Sequence, residues 1–384
     1  MDDVLAAVDE QSILEFLCAA IRVPGITGAE DDISRFLVER LRAGGWSDVE
    51  SIGTGNVVGR IPGAGGPPLV FLAYIDSPPP GEMVEPYEAQ ILPGERFGRV
   101  HPVVRGRGAC TKGILASMVE AGEALSRRRV RLPGDLVVIG TSRDTEGLRA
   151  VVEHSQLPRG TAIVGEPTEN AIGIAARGIT WIDVEIRGEA SHAGTPQRAI
   201  NPIQKLPRVL AALEAITLPE RDGLPRATLT PTGVAHTGSP PRTPYSVTVR
   251  FDRRTLPGEK PEDVVADIER ALVQACGTDP TLNVSVSTPD FMAPYLADAG
   301  SSIVRDLADA IHRVTGRDAS LMPLPFATNA GYLAARGWDA VAFGPTRIAD
   351  RGDDEHAEIA RVVEAAQILM LLAADHSPDD GKVV

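Results

Sequence analysis

The sequence predicts an α/β protein, a largely parallel sheet flanked by helices, with an inserted ferredoxin-like α+β domain. Three observations carry this. Apolar runs bounded by glycine and proline alternate with stretches of helical spacing over residues 1–171, the pattern of strands joined by helices. The texture changes over 172–289, where strands alternate apolar and polar residues, and the first pattern resumes over 290–384. A chain of 384 residues that is 43% hydrophobic can bury two cores of this kind.

The elements follow in order. Residues 8–20 and 31–43 have the apolar spacing of amphipathic helices, and Gly44-Gly45 stops the second. Residues 55–61 and 68–74 are β-rich, and the second run is almost wholly apolar, as a strand covered on both faces must be. A glycine-rich turn over 106–113 feeds an apolar helix over 114–125, and residues 136–140 and 162–165 repeat the buried-strand pattern. In the middle of the chain, 181–186 and 246–251 alternate, 202–216 and 261–276 are helical, and a strand near 282–286 completes a β-α-β-β-α-β order. A helix over 302–315, a strand over 340–344 and a terminal helix from about 358 to 374, to which His356 is also assigned, finish the α/β part. Only the polar C-terminal tail reads as disordered.

Charge excludes some functions. A net charge of −14 and a pI near 5.0 argue against nucleic acid and against an anionic membrane surface. The one basic run, Arg127 to Arg131, reads as a solvated helix end. Three scattered cysteines (Cys18, Cys110 and Cys276) give no disulfide framework and no zinc-knuckle spacing, so a reducing, cytoplasmic setting is expected. No apolar run approaches signal or membrane-spanning length.

The turn Gly106-Arg107-Gly108-Ala109-Cys110-Thr111-Lys112-Gly113 puts polar side chains at a helix N-terminus. Seven further motifs follow a fixed order: Arg22-Val23-Pro24, Gly55-Asn56-Val57-Val58, Gly165-Glu166-Pro167-Thr168, Arg177-Gly178, Ser191-His192-Ala193-Gly194-Thr195-Pro196, Asn201-Pro202-Ile203, and Asp252 to Glu259. Together they resemble the two-zinc metallopeptidase family that contains acetylornithine deacetylase, succinyl-diaminopimelate desuccinylase, lysine-carrier hydrolases and glutamate carboxypeptidase. The resemblance spans nearly the whole chain. It implies a zinc-peptidase-like domain over 1–171 and 290–384, with a lid and dimerisation domain over 172–289.

The family's chemistry uses two Zn²⁺ ions held by imidazole and carboxylate, and a Glu base that takes the proton of a metal-bound water. The family's first ligand, the His of a His-x-Asp pair, falls here on Tyr74, and the supporting Asp is kept as Asp76. The bridging Asp falls on Cys110 or Thr111, depending on where a one-residue gap is placed. A Glu-Glu pair, base then ligand, falls within Arg143-Asp144-Thr145-Glu146, where no placement that keeps Gly147 in register retains two adjacent carboxylates. Glu166 survives, and the last His falls on Arg351. One clear ligand of five is left. The resemblance therefore implies a metal-independent chain without a cofactor, in which Arg351 replaces the lost cations, its guanidinium within hydrogen-bond reach of at least one of Asp76, Asp144 and Glu166.

Substrate groups are better kept. His192 matches an imidazole that reaches the scissile carbonyl across a dimer, and Arg254 matches a carboxylate clamp, for which a guanidinium fork is suited. A family Asn falls on Pro241, and an Asp falls on Asn329. The expected catalytic groups are His192, Asp76 and Asp144; the expected substrate contacts are Arg254, Asn329, Arg351, Glu166, Tyr74 and Cys110. Cys110 reads either as a thiol activated by the helix N-terminus or as a small residue filling a tight turn.

The function so implied is a non-hydrolytic descendant of the zinc deacylases that binds an amino-acid-derived substrate and works with a partner in natural-product biosynthesis. The finer form is the peptidase-like subunit that accompanies a sulfotransferase in making aziridine or azabicyclic amino acids on a carrier protein. The Ala/Gly/Arg/Pro-rich composition is associated with such pathways. Two alternatives stand beside it: a residual metallohydrolase of N-acyl amino acids, and a non-catalytic scaffold subunit. The partner is a different protein or a second copy docked through the inserted domain.

Overall fold

In the computed structural model, which describes residues 5–53, 55–142, 144–155, 157–277 and 279–376, the apolar runs become the strands and helices of two compact units. The larger unit comprises Met1–Ile174, Ala297–Met322 and Thr328–Val384, and the smaller comprises Ala175–Leu296 and Pro323–Ala327. The expected insert was 172–289, so the smaller unit begins three residues later, runs on to 296 and gains a short return segment. The polar tail lies outside the described residues.

The chain opens with helices α1 (Glu10–Arg22) and α2 (Asp31–Ala43), then strands β1 (Ser47–Ile52), β2 (Asn56–Ile61) and β3 (Gly66–Tyr74). Strands β4 (Gln90–Leu92) and β5 (Val103–Arg105) precede helix α3 (Ala109–Arg128), β6 (Gly134–Thr141), helix α4 (Asp144–Ser155), β7 (Thr161–Gly165) and β8 (Ile172–Ala176). The smaller unit carries β9 (Gly178–Arg187), α5 (Pro202–Glu214), β10 (Thr228–His236), β11 (Ser246–Thr255), α6 (Pro261–Cys276), β12 (Asn283–Met292) and β13 (Tyr295–Leu296). Helix α7 (Ser302–Thr315), β14 (Leu321–Leu324), α8 (Asn329–Ala334), β15 (Asp339–Phe343), β16 (His356–Glu358) and α9 (Ile359–Asp375) complete the chain.

The sheet of the larger unit is parallel only at its centre, through the neighbours β6, β3, β7 and β15. Its flanks are antiparallel, β1 on β2, β2 on β6 and β15 on β8, so the sheet is mixed where a largely parallel one was expected. Burial on both faces explains the unbroken apolar character of β3 and β7. Helix α3 is covered along its length, every residue from Ala109 to Leu125 being buried, which is why its sequence lacks a polar face. Asp9 caps α1 by accepting from Gln11 N, and the Thr328 hydroxyl caps α8 at Ala330 N.

A second, three-stranded sheet in the order β16, β5, β4 was not expected. His356 was assigned to the terminal helix, and it belongs instead to β16, opposite Arg105. Helix α9 then ends at His376, which is buried between two elements: Nδ1 lies 2.7 Å from Asp306 Oδ2, and Nε2 lies 3.0 Å from Thr161 Oγ1. His376→Ala leaves both partners unmet and is expected to cost about 1–3 kcal/mol. Urea denaturation of the two proteins at pH 7 measures that loss, and an unchanged midpoint would refute the clamp.

The smaller unit is a four-stranded antiparallel sheet in the order β10, β11, β9, β12, the strand order of a ferredoxin-like fold. Alternation puts Ile182, Val184, Ile186, Val247, Val249 and Phe251 on one face, where they pack on Val209, Leu213, Val264, Ile268 and Leu272 of α5 and α6.

Candidate functional site

In a sheet with a parallel centre, the crevice beyond the strand C-termini is where loops can present side chains. Here β3 ends at Tyr74, with Asp76 two residues on, β6 ends at Thr141 beside it, and β7 leads into Glu166. Alternation leaves Tyr74 and Asp76 half-buried while Ile75 turns into the core. The Tyr74 hydroxyl donates to Glu166 Oε1 at 3.3 Å, and the Thr27 hydroxyl donates to Asp76 Oδ2 at 2.7 Å. Glu166 itself is buried, its loop tied down by Glu166 N to Phe343 O and by Thr168 Oγ1 to Gly344 O.

Helix α4 starts at the end of β6. The Asp144 side chain lies outside the described residues, and Glu146 is exposed. Thr145 donates to Asn329 Oδ1 at 3.0 Å, and the Asn329 amide nitrogen, fully buried, has no hydrogen-bond partner among the described residues. Nothing in the sequence signalled this pairing of α4 with α8.

The glycine-rich turn is built around a residue that sequence reasoning treated only as a landmark. Glu355 is buried, and its carboxylate accepts from Gly108 N and Cys110 N at 3.0 Å each and from Arg107 Nη1 at 3.2 Å. A helix N-terminus favours an anion at this place. Gly108, at φ 81, supplies the left-handed turn that aims both amides at it. Arg107 further bridges Gly352 O and Pro80 O. Lys112 is fully buried with Nζ 3.0 Å from Val23 O; burial lowers its pKa from 10.5 to about 8, against the opposing charge of Glu355.

Two expectations are corrected. Cys110 faces away from Asp76: its Sγ lies 3.5 Å from His356 O and 4.0 Å from Arg347 O, and no part of it is exposed. Burial, reinforced by Glu355, pushes the thiol well above its ordinary value, so it neither contacts a substrate nor acts as an activated nucleophile. The neighbour Thr111 faces the crevice side instead, its hydroxyl 3.5 Å from Asp76 O. Alkylation of native protein with iodoacetamide is therefore expected at the half-exposed Cys276 and not at Cys110, as peptide mass mapping would reveal. Arg351 is the second correction. It is exposed, its backbone N–H donates to Ile348 O, and its side chain makes no hydrogen bond or ion pair with Asp76 or Glu166, so it does not replace the lost cations at those two carboxylates; the Asp144 side chain lies outside the described residues. Among the partners of those two carboxylates are the hydroxyls of Tyr74, on Glu166, and Thr27, on Asp76.

In the smaller unit, His192 is exposed and its Nδ1 accepts from Gly194 N at 3.0 Å, which closes the turn and leaves Nε2 outward. Pro241 accepts from Ala193 N in the same turn. Arg254 is paired with Asp252 at 2.7 and 3.2 Å. Arg177 lies near enough for burial and the Arg254 charge to lower its pKa, and its Nε is buried without a partner.

Among the described residues, no three His, Cys, Asp or Glu side chains converge as a metal-binding group, and no helix is long and apolar enough to cross a membrane.

Comparison with known proteins extends these observations. Residues 174–280 match a family model described as a peptidase dimerisation domain. A succinyl-diaminopimelate desuccinylase of Granulibacter bethesdensis is 30% identical over 78% of this chain and 81% of its own length, and that of Xylella fastidiosa strain 9a5c is 26% identical over 95% and 99%. Among solved structures, an aminopeptidase from Bacillus cereus superposes with a TM-score of 0.74 at 20% identity, covering 96% of this chain and 99% of the other. An M20 family metallo-carboxypeptidase from Sulfolobus solfataricus gives 0.75 at 16% identity, covering 94% and 98%.

Proposed function

Because the chain belongs to the M20 peptidase family, whose members among its relatives are deacylases and peptidases, we propose that it keeps their pocket for an amino-acid-derived ligand and works without their metal centre. The observation that carries this is the Tyr74 phenol on the Glu166 carboxylate. A pair of zinc ions needs several converging imidazole, thiolate or carboxylate donors. At this strand end a phenol stands where the family resemblance calls for imidazole, a threonine faces Asp76 where it calls for a bridging carboxylate, and an exposed arginine stands at the last ligand position. That donor set does not fit two zinc ions.

Without metal-bound hydroxide, hydrolysis loses its nucleophile, and what the residues can do is bind. In the larger unit Tyr74 offers a hydroxyl to a polar ligand; within the smaller unit, taken by itself, Arg254 with Arg177 offers positive charge to a carboxylate. Protein purified without chelator is expected to hold well under one zinc per chain, to bind N-succinyl or N-acetyl amino acids in calorimetry, and to leave them intact. Two zinc ions per chain with chelator-sensitive hydrolysis would overturn this in favour of a residual metallohydrolase. That second reading draws on Glu166, a buried carboxylate kept at a ligand position.

We further propose a homodimer through the smaller unit. The match to a dimerisation domain supports it, as does β10, an edge strand exposed over most of its length. The finer form, with a carrier-protein substrate and a sulfotransferase partner, rests on composition and is tested by co-purification.

A further inference from the structure

We propose that the edge of the small sheet at β4 docks an extended, lysine- or arginine-bearing segment of another protein, whatever the cleft turns out to do. Strand β4 pairs with β5 on one side, and no described strand pairs with it on the other, so a row of backbone groups is open to a further strand. Along that edge lie three large aliphatic side chains in solvent. Ile91, at the centre of β4, is 52% exposed, Val84 is 71% and Val100 is 83%.

Internal bonds place the outer two at the ends of the strand. Arg105 Nη1 donates to Val84 O and reaches the Gln90 side chain, which sets Val84 beside the first residue of β4. Leu92 pairs with Val103, and Arg99 N donates to Gly94 O, which sets Val100 beyond the last. Single exposed aliphatics are ordinary. Three along one open strand are a surface with a use.

Charge selects the occupant. Residues 82–95 hold four glutamates and no lysine or arginine. Glu82, Glu85, Glu88 and Glu95 are all exposed, and none is ion-paired to a described residue; Glu85 accepts only an amide hydrogen from Gln90. The nearest exposed cation in the chain, Arg96, lies over the Phe97 ring. A strand that pairs with β4 and alternates aliphatic with basic residues would cover Ile91 while meeting the carboxylates. A second copy of this chain would set β4 against a strand flanked by the same four glutamates, and bringing like charges together is unfavourable.

The test uses the full chain and a fluorescein-labelled Lys-Val-Lys-Val-Lys-Val-Lys peptide, with Lys-Ser and Glu-Val repeats of equal length beside it. Anisotropy at about 50 mM salt, where surface charge is little screened, should show the Lys-Val peptide binding about tenfold more tightly than Lys-Ser, and Glu-Val not binding. Glu85→Lys with Glu88→Lys, and separately Ile91→Ser, should each weaken it about tenfold with the melting temperature unchanged. Glu262→Lys with Glu269→Lys, an equal charge change on exposed positions of α6, should leave it intact. The proposal is overturned if the α6 changes weaken binding as much, if Lys-Ser binds as well as Lys-Val, or if nothing binds and the carboxylates only guard the edge. It is equally overturned if Ile91→Ser dissociates a dimer, which would make a second copy the occupant.

Discussion

Glu355→Ala is expected to destabilise the larger unit by about 3–5 kcal/mol, the range for removing one partner of a buried, hydrogen-bonded ion pair. Among the described residues the carboxylate is the sole acceptor for Gly108 N and Cys110 N at the start of α3, and it neutralises the buried guanidinium of Arg107. Its loss strands two amides and a cation where water cannot reach them. It also removes the charge that opposes the lowering of the Lys112 pKa, so that amine is expected to titrate below about 8 in the variant. Glu355→Gln keeps the shape but turns an amide NH2 group toward the donors, and should recover only part of the loss. Urea denaturation of the three proteins at pH 7 gives the comparison, and an alanine variant within about 1 kcal/mol of wild type would mean that the turn holds itself.

How much of this was legible in the sequence depended on whether the signal was local. The strands β3 and β7, the helices α2, α6 and α7, and the β-α-β-β-α-β order were legible because burial stamps a period on consecutive residues. Strand direction leaves no such stamp, and so the antiparallel flanks were missed. Strand β16 is three residues long, and its pairing is with a segment some 250 residues earlier, so His356 was read into the helix that follows. The site failed in a related way. Consecutive residues on a helix point about 100° apart, so the undecided gap at Cys110 and Thr111 decided which side chain faced the core and which faced Asp76. Arg351 was placed by motif register alone, and the next residue, Gly352, has a φ of 152, a backbone turn that only glycine readily adopts and that no periodicity reports. Tyr74 and Glu166, each at the end of a well-signalled strand, meet through the Tyr74 hydroxyl, a contact that neither strand's pattern reports.

Glu123→Gln is expected to make the protein more stable above pH 7, by on the order of 3 kcal/mol, and to leave it unchanged near pH 4. Glu123 lies in the stretch of helix α3 that is buried from Ala109 to Leu125, three residues after Glu120, which is also buried. Arg40 Nη2 reaches one of its oxygens at 2.6 Å, and Arg127 is 3.8 Å from the same oxygen while bonding to Glu120 Oε1, which also accepts from Asp9 N at 2.9 Å. One oxygen of each carboxylate, Glu120 Oε2 and Glu123 Oε1, is left without a partner. Space around the second is closed by Gly44, where a Cβ would come within 2.1 Å of it. Burial raises the Glu123 pKa from 4.5 to about 7, with Glu120 adding to the rise, while Arg40 and Arg127 oppose it without cancelling it. Between these two values the folded protein holds a proton that the unfolded chain has released. Stability from this group therefore falls as pH rises through that window and is level above it. Glutamine imitates the protonated acid at every pH, still accepts from Arg40, and places its amide nitrogen where the unpartnered oxygen was. Thermal melts of wild type and variant at half-unit steps from pH 4.5 to 8 should start together and diverge, with the variant higher. Parallel curves, or a variant that melts lower at pH 8, would show that the ion pairs with Arg40 and Arg127 outweigh burial and that Glu123 is charged throughout.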